Sequence, residues 1–169
     1  MRIAMTIKVG DRLPDAKFTV MSADGPKAKT VSEVFSGKRI ALFAVPGAYT
    51  PTCTNNHMPG FVSRVDEIKA KGIDAIACTA VNDVFVLTNW AKDTGAAGKI
   101  EMLADGSADF AKAIGLDVDL SSFGLGVRSQ RYAMLVDDGV VKILNVEDSP
   151  PVAEKSSAAN LCSMIDCSL

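Results

Sequence analysis

Three short apolar runs, separated by segments of helical periodicity, place the strongest constraint on how this chain can fold. The runs cover residues 40–45, 73–81 and 100–104. Because they are short and nearly continuous, they indicate strands buried on both faces rather than amphipathic helices. Residues 61–71 and 83–92 lie between them and place apolar side chains at helical spacing. Strands that alternate with helices predict a partly parallel sheet with helices on both of its faces.

Antiparallel strands are predicted to complete the sheet. Residues 131–136 and 140–146 flank Asp137-Asp138-Gly139, and an Asp-Gly turn between two apolar stretches predicts a β-hairpin. Beyond the hairpin, a serine at 156 or 157 is predicted to cap a terminal helix. The predicted fold class is therefore α/β, with a central mixed sheet, helices on both faces, and a C-terminal β-hairpin plus helix.

Two stretches interrupt this regular pattern. Residues 117–129 are rich in Gly, Ser and Asp and are predicted to form a loop. Pro59-Gly60 falls inside the helical segment after Cys53, so we expect either a kink or a short first turn followed by a second helix from Phe61. No internal repeat or interdomain linker is evident, and 169 residues suffice for one core, so a single domain over residues 4–169 is predicted.

Composition excludes several classes of partner. The net charge is -2 and the basic residues are scattered, so nucleic acid is not an expected partner. No apolar run approaches the roughly 18 residues that a membrane-spanning helix needs. The first residues are too few and too polar for a secretory signal before Gly10-Asp11. A cytoplasmic location is predicted, and removal of an organellar presequence is also compatible with the sequence.

The chain has four cysteines, at positions 53, 78, 162 and 167. They form no Cys-x-x-Cys pair and show no metal-finger spacing, so neither a metal nor another cofactor is predicted. In a domain of this size without an export signal, reduced thiols are the expected state.

Cys53 has two competing interpretations. A free cysteine is often a buried small hydrophobic residue. Here, however, the neighbours are threonines and asparagines, and Pro46 and Pro51 stiffen the loop. The position between a strand and a helix also offers unpaired backbone N–H groups and the positive end of a helix dipole, which favour thiolate over thiol. The setting therefore favours a reactive cysteine.

His57, the single histidine, follows Cys53 by four residues and would share its helix face. It can form a Cys–His nucleophile pair, provide half of a metal site, or support the loop through hydrogen bonds. The metal interpretation lacks further clustered ligands, and no third group that would orient a catalytic pair is evident. A structural or supporting histidine is the favoured interpretation.

The spacing Pro46-x-x-x-Thr50-x-x-Cys53 resembles the active-site signature of the peroxiredoxins. The longer stretch from Val45 to Phe61 is similar to the type II group, which includes mammalian peroxiredoxin five. The similarity covers nearly the whole chain, and its further motifs stand in the same order as in the family: residues 8–15, 81–85, 128–132 and 144–147.

This resemblance implies a thioredoxin-like fold and a thiol peroxidase that acts on hydrogen peroxide and small alkyl hydroperoxides. It assigns Cys53 as the cysteine that attacks the peroxide and becomes a sulfenic acid. Thr50 is implied to hydrogen-bond the thiolate and the peroxide, and Pro46 to shield the pocket. Arg128 is implied to return to the site and favour the thiolate, with Arg131 as a candidate supporting arginine.

The resemblance is less definite about how oxidised Cys53 is reduced. Cys78 stands where the plant type II enzymes have their second cysteine, and it also lies in a predicted buried strand. We therefore expect external thiols, either glutathione with glutaredoxin or thioredoxin, with Cys78 as a candidate resolving cysteine. Cys162 and Cys167 match no position of the family. The resemblance also implies a homodimer with its interface near the active site.

Two other functions compete with the peroxidase. A redox sensor or interaction protein would use oxidised Cys53 as a signal rather than for turnover. Thiol–disulfide exchange is disfavoured, because that chemistry usually needs a nearby resolving thiol and the chain has no Cys-x-x-Cys pair.

Overall fold

The computed structural model describes residues 5–167, without the side chain of Cys167; residues 4, 168 and 169 of the predicted domain lie outside the described residues. The strands are β1 Lys17–Ser22, β2 Gly25–Thr30, β3 Arg39–Ala44, β4 Ala75–Ala80, β5 Glu101–Ala104, β6 Asp117–Asp119, β7 Val127–Ser129, β8 Tyr132–Asp137 and β9 Val140–Val146. The α-helices are α1 Val31–Phe35, α2 Met58–Ser63, α3 Val65–Ala70, α4 Val84–Asp93, α5 Asp109–Ala113 and α6 Ala158–Cys167.

A seven-stranded mixed sheet forms the centre of the fold, with the strand order β2-β1-β5-β4-β3-β8-β9. β3 pairs in parallel with β4, and β4 with β5, as the strand–helix alternation predicts. β8 joins the other edge of β3 in antiparallel orientation and continues into β9. The predicted central mixed sheet with a closing hairpin is confirmed.

The hairpin turn has the backbone that its sequence predicts. Asp138 and Gly139 have φ angles of 47° and 78°, and Asp137 pairs with Val140 across the two-residue turn. Positive φ at both central residues is the type I′ arrangement, which matches the twist of paired strands.

Apolar residues pack on both faces of the sheet. Phe43 and Cys78 point to one face, where α2, α3, α4 and α6 supply Phe61, Ile68, Trp90 and Leu161. Leu42 and Tyr132 point to the other face, which is covered by Phe35 and Phe110 of α1 and α5. Alternate residues of β3 therefore belong to different cores, as the two-residue period of a strand requires.

The helical segment after Cys53 contains a wide turn. Helical backbone begins at Pro51, and residues Cys53–His57 form a π-helical turn in which the Met58 N–H donates to the Cys53 carbonyl. Pro59 has no N–H, and its ring would crowd the carbonyl four residues earlier in an α-helix, so the wide turn accommodates it. The break predicted at Pro59-Gly60 occurs instead at Arg64, between α2 and α3.

The loop prediction for residues 117–129 is wrong in detail. β6 and β7 pair as a separate antiparallel ribbon, with Val118 opposite Arg128, and a short 3₁₀ turn at Ser121–Phe123 connects them. The strand β2 was also not predicted from the sequence. Among residues 5–167, no helix has both the length and the apolar character needed to cross a bilayer.

Candidate active site

Cys53 lies where the end of β3 leads into a helix. β3 ends at Ala44, a loop follows, and helical backbone starts at Pro51, so Cys53 is in the first helical turn. Its side chain is fully buried, with 0% exposure. The predicted setting at a helix start is therefore present, where backbone N–H groups and the helix dipole favour a negatively charged sulfur.

The loop before Cys53 is fixed by two hydrogen bonds to residues outside it and one within it. The Ala48 N–H donates to Asn82 Oδ1 at 2.9 Å, and the Tyr49 hydroxyl donates to Asp93 Oδ2 at 2.7 Å. The Thr50 hydroxyl donates to the Gly47 carbonyl at 2.7 Å. Sequence reasoning did not identify the contribution of Asn82, although its position just after β4 indicates a side chain at the same edge of the sheet.

The Arg131 guanidinium contacts the sulfur directly. Its Nη2 donates to Cys53 Sγ at 3.0 Å, and the side chain is only 2% exposed. Nε donates to the Pro150 carbonyl at 3.0 Å, and Nη1 lies 3.0 Å from His57 Nδ1. With all three nitrogens engaged, the orientation of the guanidinium is fixed relative to the sulfur.

Arg128 occupies an outer position. It lies on β7 and is partly buried. Its Nε donates to the Leu125 carbonyl at 2.8 Å, and its Nη1 donates to the Pro46 carbonyl at 3.4 Å. A Cβ atom on Gly47 would lie 3.0 Å from Arg128 Nη1, so this glycine permits the close approach. Arg128 therefore contacts the active-site loop rather than the sulfur.

The relative positions of the two arginines correct the expectation from the sequence, which placed Arg128 at the thiolate. The sheet register explains the difference. Tyr132, the first residue of β8, pairs with Ala44, the last residue of β3. Residue 131 therefore lies beside the start of the active-site loop, whereas residue 128 belongs to the separate β6–β7 ribbon.

His57 is buried between aromatic rings and held at both of its nitrogens. Its ring centroid lies 5.1 Å from that of Phe43 and 5.6 Å from that of Phe61. Burial, and then the positive charge of Arg131, lower the pKa of His57 from 6.5 to about 3. Nε2 lies 2.9 Å from the Ser156 carbonyl, which can only accept, so the ring is neutral and protonated at Nε2.

This tautomer leaves His57 Nδ1 as an acceptor for Arg131 Nη1. While that hydrogen bond persists, Nδ1 cannot take a proton from Cys53. The geometry therefore fits a supporting histidine better than a catalytic base. Within the described residues, no three His, Cys, Asp or Glu side chains gather as a metal site.

Cys78 lies near Cys53 in the interior of the sheet. It is fully buried in β4, opposite Phe43 on one side and Met102 on the other. Burial, followed by the nearby Cys53, raises the pKa of the Cys78 thiol well above its usual value. Cys162 is also buried, on α6, and burial raises its pKa.

A cavity of about 540 Å³ lies beside the site. Pro46, Thr50 and Arg131 line it close to Cys53, and Leu120, Phe123 and Leu125 supply an apolar side. Phe123 is 77% exposed, which is unusual for a phenylalanine. The cavity gives a small molecule access to the groups that surround the buried sulfur.

The chain is similar to known proteins over most of its length. A family model described as Redoxin matches residues 8–162. Peroxiredoxin-2E, chloroplastic, of Arabidopsis thaliana is 47% identical over 159 residues, which cover 92% of this chain and 68% of the relative. Peroxiredoxin-2E-2, chloroplastic, of Oryza sativa subsp. japonica is 50% identical over 151 residues, which cover 86% of this chain and 67% of the relative.

A solved structure shows the same fold. Reduced Prx3 of Vibrio vulnificus, crystallised in complex with H₂O₂, superposes with a TM-score of 0.90 at 46% identity. The match covers 95% of this chain and 99% of that chain. The predicted thioredoxin-like fold is confirmed by this superposition.

Proposed function

The chain belongs to the peroxiredoxins, in their type II group, and is a thiol peroxidase; on that premise we propose that Cys53 is the thiol that reduces the peroxide. The Cys53 thiolate attacks the distal oxygen of the peroxide and the O–O bond breaks. The sulfur becomes a sulfenic acid, and the other oxygen takes a proton and leaves as water or an alcohol.

The observation that carries this proposal is the contact between Arg131 and Cys53. A buried guanidinium is costly unless an anion compensates it. No salt bridge of the described residues includes Arg131, and its other two contacts are to neutral groups, the Pro150 carbonyl and His57. A thiolate at Cys53 supplies the missing negative charge. The same guanidinium is placed to stabilise charge on the departing oxygen.

Thr50, Pro46 and Arg128 complete the proposed site. The Thr50 hydroxyl donates to the Gly47 carbonyl, and its oxygen can still accept a hydrogen bond from a peroxide. Pro46 is buried and lines the cavity, so it shields the sulfur from bulk water. Arg128 holds the Pro46 carbonyl and so supports the loop that carries both residues.

Substitution of Cys53 by serine tests the function directly. We expect Cys53→Ser to fold, with a lower melting temperature because buried Arg131 loses its anion, and to lose peroxide consumption with any thiol reductant. Cys162→Ser removes a thiol from α6 and serves as the matched control with unchanged activity. Peroxide turnover by Cys53→Ser at the wild-type rate would contradict the assignment.

The substrates we propose are hydrogen peroxide and small alkyl hydroperoxides. The apolar side of the cavity, at Leu120 and Leu125, supports the alkyl group, while Thr50 and Arg131 meet the polar end. Rates with hydrogen peroxide, tert-butyl hydroperoxide and a long-chain lipid hydroperoxide test this range. We expect the lipid hydroperoxide to be the slowest, and the reverse order would exclude the proposed preference.

We further propose that external thiols, glutathione with glutaredoxin or thioredoxin, reduce the sulfenic acid. Two observations support this over Cys78. The raised pKa of Cys78 keeps its thiol protonated, and a thiol is a poorer nucleophile than a thiolate. Cys78 also lies in an internal strand with hydrogen-bonded neighbours on both sides, so a Cys53–Cys78 bond requires unwinding of the Cys53 turn.

Mass spectrometry of peroxide-treated protein without reductant distinguishes the two routes. Sulfenic acid at Cys53, or its glutathione adduct after glutathione is added, is the expected product. A Cys53–Cys78 disulfide as the main product would replace the external-thiol route. Turnover with glutaredoxin plus glutathione, compared with thioredoxin, then identifies the reductant.

A homodimer is also proposed, with its interface near the active site. Exposed Phe123 beside Leu125 offers an apolar surface next to the cavity. Light scattering of wild type and Phe123→Asp tests this, with Met5→Asp, at an exposed position, as control. We expect only Phe123→Asp to lower the mass, and a monomeric wild type would exclude the dimer.

The cytoplasm is the proposed location, and a single domain over residues 4–169 the proposed organisation. Two relatives are named as chloroplastic proteins, so a chloroplast or other organelle is the alternative outcome. Fractionation of the source cells with an antibody to this chain decides between them. One cooperative unfolding transition is expected for the single domain.

A further inference from the structure

Glu147 takes no part in the proposed peroxide chemistry, yet its carboxylate is buried and hydrogen-bonded. The residue follows β9 and is 7% exposed. Its Oε1 accepts from the Ser156 N–H at 2.7 Å and from the Ser156 hydroxyl at 2.9 Å. Ser156 is 0% exposed. The Glu147 backbone N–H also donates to the Arg131 carbonyl at 3.0 Å.

From Ser156 the hydrogen bonds continue to the sulfur. The Ser156 carbonyl accepts from His57 Nε2 at 2.9 Å, which fixes the proton of the neutral ring on that nitrogen. His57 Nδ1 then accepts from Arg131 Nη1 at 3.0 Å. Arg131 Nη2 donates to Cys53 Sγ at 3.0 Å. Every member of this chain is buried, so water does not compete for its hydrogen bonds.

The Glu147–Ser156 pair also closes a loop that supplies further groups to the site. Within this loop the Pro150 carbonyl accepts from Arg131 Nε at 3.0 Å, and the Pro151 carbonyl accepts from the Thr52 hydroxyl at 3.1 Å. The loop lacks helix or strand hydrogen bonds between these residues. A Val152–Ser149 backbone bond and the exposed Lys155–Asp148 ion pair also lie in this loop. The bonds of Glu147 to Ser156 are buried, so they constrain the positions of these two carbonyls more strongly than the exposed ion pair does.

We propose that Glu147 is a positioning residue for peroxide reduction, which holds Ser156 and the 148–155 loop so that His57 and Pro150 orient Arg131 on Cys53. This inference rests on the proposed function of Cys53. Without the carboxylate, the Ser156 N–H and hydroxyl lose their buried acceptor and the loop relaxes. The His57 ring can then rotate, and the guanidinium loses two of its fixed acceptors.

The readout must distinguish positioning from a structural role alone. We choose the pH dependence of Cys53 alkylation by iodoacetamide, measured by mass spectrometry of the Cys53 peptide at constant ionic strength. Among the described residues, Arg131 contacts the sulfur of Cys53, His57 contacts Arg131, and Cys78 lies close enough for its pKa to be raised by Cys53. Guanidinium groups do not lose their proton in proteins, and the pKa values of His57 and Cys78 are shifted below and above the neutral range, so the midpoint reports on Cys53 and its contact with Arg131.

Two substitutions of Glu147 make the test, with Glu154→Ala as the control. We expect Glu147→Ala to raise the alkylation midpoint by about one pH unit and to slow peroxide reduction at pH 7 by about tenfold. Glu147→Gln keeps an acceptor oxygen for Ser156, so we expect it to retain most of the wild-type rate. Glu154 is exposed in the same loop, and its substitution by alanine should leave both measurements unchanged.

The melting temperature of each variant is measured alongside. A folded Glu147→Ala with the wild-type midpoint would overturn the proposal, and so would an equal shift in Glu154→Ala. If Glu147→Ala does not fold, Ser156→Ala provides the test, because it removes only the hydrogen bond from the Ser156 hydroxyl to Glu147. We expect it to raise the alkylation midpoint by roughly a third of a pH unit. An unchanged midpoint would overturn the proposal. Failure of the proposed function itself appears separately, as activity in Cys53→Ser.

Discussion

Removal of the Arg131 guanidinium is expected to slow peroxide reduction far more than removal of the Arg128 guanidinium. Arg131 is buried and donates to the sulfur at 3.0 Å, whereas Arg128 is partly exposed and donates to the Pro46 carbonyl at 3.4 Å. Methionine keeps much of the side-chain length and removes the charge and the donors. The variants Arg131→Met and Arg128→Met are therefore a matched pair.

The expected magnitudes follow from these contacts. A hydrogen bond to a charged group contributes about 1.5–3 kcal/mol, and a factor of ten in rate corresponds to about 1.4 kcal/mol. If the Arg131 contact to the sulfur is kept in the transition state, Arg131→Met reacts about 10- to 150-fold more slowly. Arg128 acts on the loop rather than the sulfur, so a loss of about 0.5–1.5 kcal/mol, or roughly two- to tenfold, is expected for Arg128→Met.

Trp90 provides the assay. It is the single tryptophan, and its indole N–H donates at 3.0 Å to the hydroxyl of Thr54, the residue after Cys53. Stopped-flow fluorescence at several hydrogen peroxide concentrations gives the second-order rate constant for oxidation. Cys53→Ser, which should show no rapid fluorescence change, is the control.

The reasoning is refuted if Arg128→Met loses more activity than Arg131→Met while both variants keep the wild-type melting temperature. Equal losses in the two variants would also refute it, because the sulfur contact would then have no special weight. The first of these results would favour Arg128 as the arginine that acts on the sulfur, which is the role implied by the resemblance.

Three further predictions concern buried groups. Cys78→Ser is expected to keep at least half of the wild-type turnover with glutaredoxin and glutathione, and an inactive folded variant would make Cys78 the resolving cysteine. His57 has a pKa of about 3 when folded and about 6.5 when unfolded, so the unfolded state binds the extra proton between these values and stability falls as pH falls. When the pH is lowered from 6.5 to 4.5, the free energy of unfolding should fall by about 2 kcal/mol less in His57→Gln than in wild type, as measured by urea unfolding. Equal decreases in the two proteins would contradict this. The buried Tyr132 hydroxyl has no hydrogen-bond partner among the described residues. Tyr132→Phe should therefore raise the free energy of unfolding by up to about 1 kcal/mol. A decrease of that size would instead show that the hydroxyl has a partner.

The central sheet could be predicted because its local signals agree with its environment. Strands buried on both faces are continuously apolar, and the Asp138-Gly139 turn has one favoured geometry. The ribbon of β6 and β7 could not be predicted in the same way. Its strands are three residues each, too short to show a two-residue alternation.

The candidate site was only partly predictable. Pro46, Thr50 and Cys53 lie close in sequence, so one motif contains all of them. The choice between Arg128 and Arg131 depends on the register of β8 against β3, which no local pattern encodes. Ser156 contacts His57, and Pro150 contacts Arg131, through carbonyl oxygens. A carbonyl belongs to every residue, so side-chain identity gives no signal for these two contacts.

The wide turn at Cys53–His57 amounts to one residue inserted into a helix. If these residues instead closed with ordinary α-helical hydrogen bonds, the extra residue would rotate everything before the turn by about 100° relative to everything after it. Phe61 and Ile68 would stay in the core, but Cys53 would turn away from Arg131. The extra residue of the wide turn thus lets one continuous helical segment direct Cys53 to the polar pocket and Phe61 and Ile68 to the apolar core.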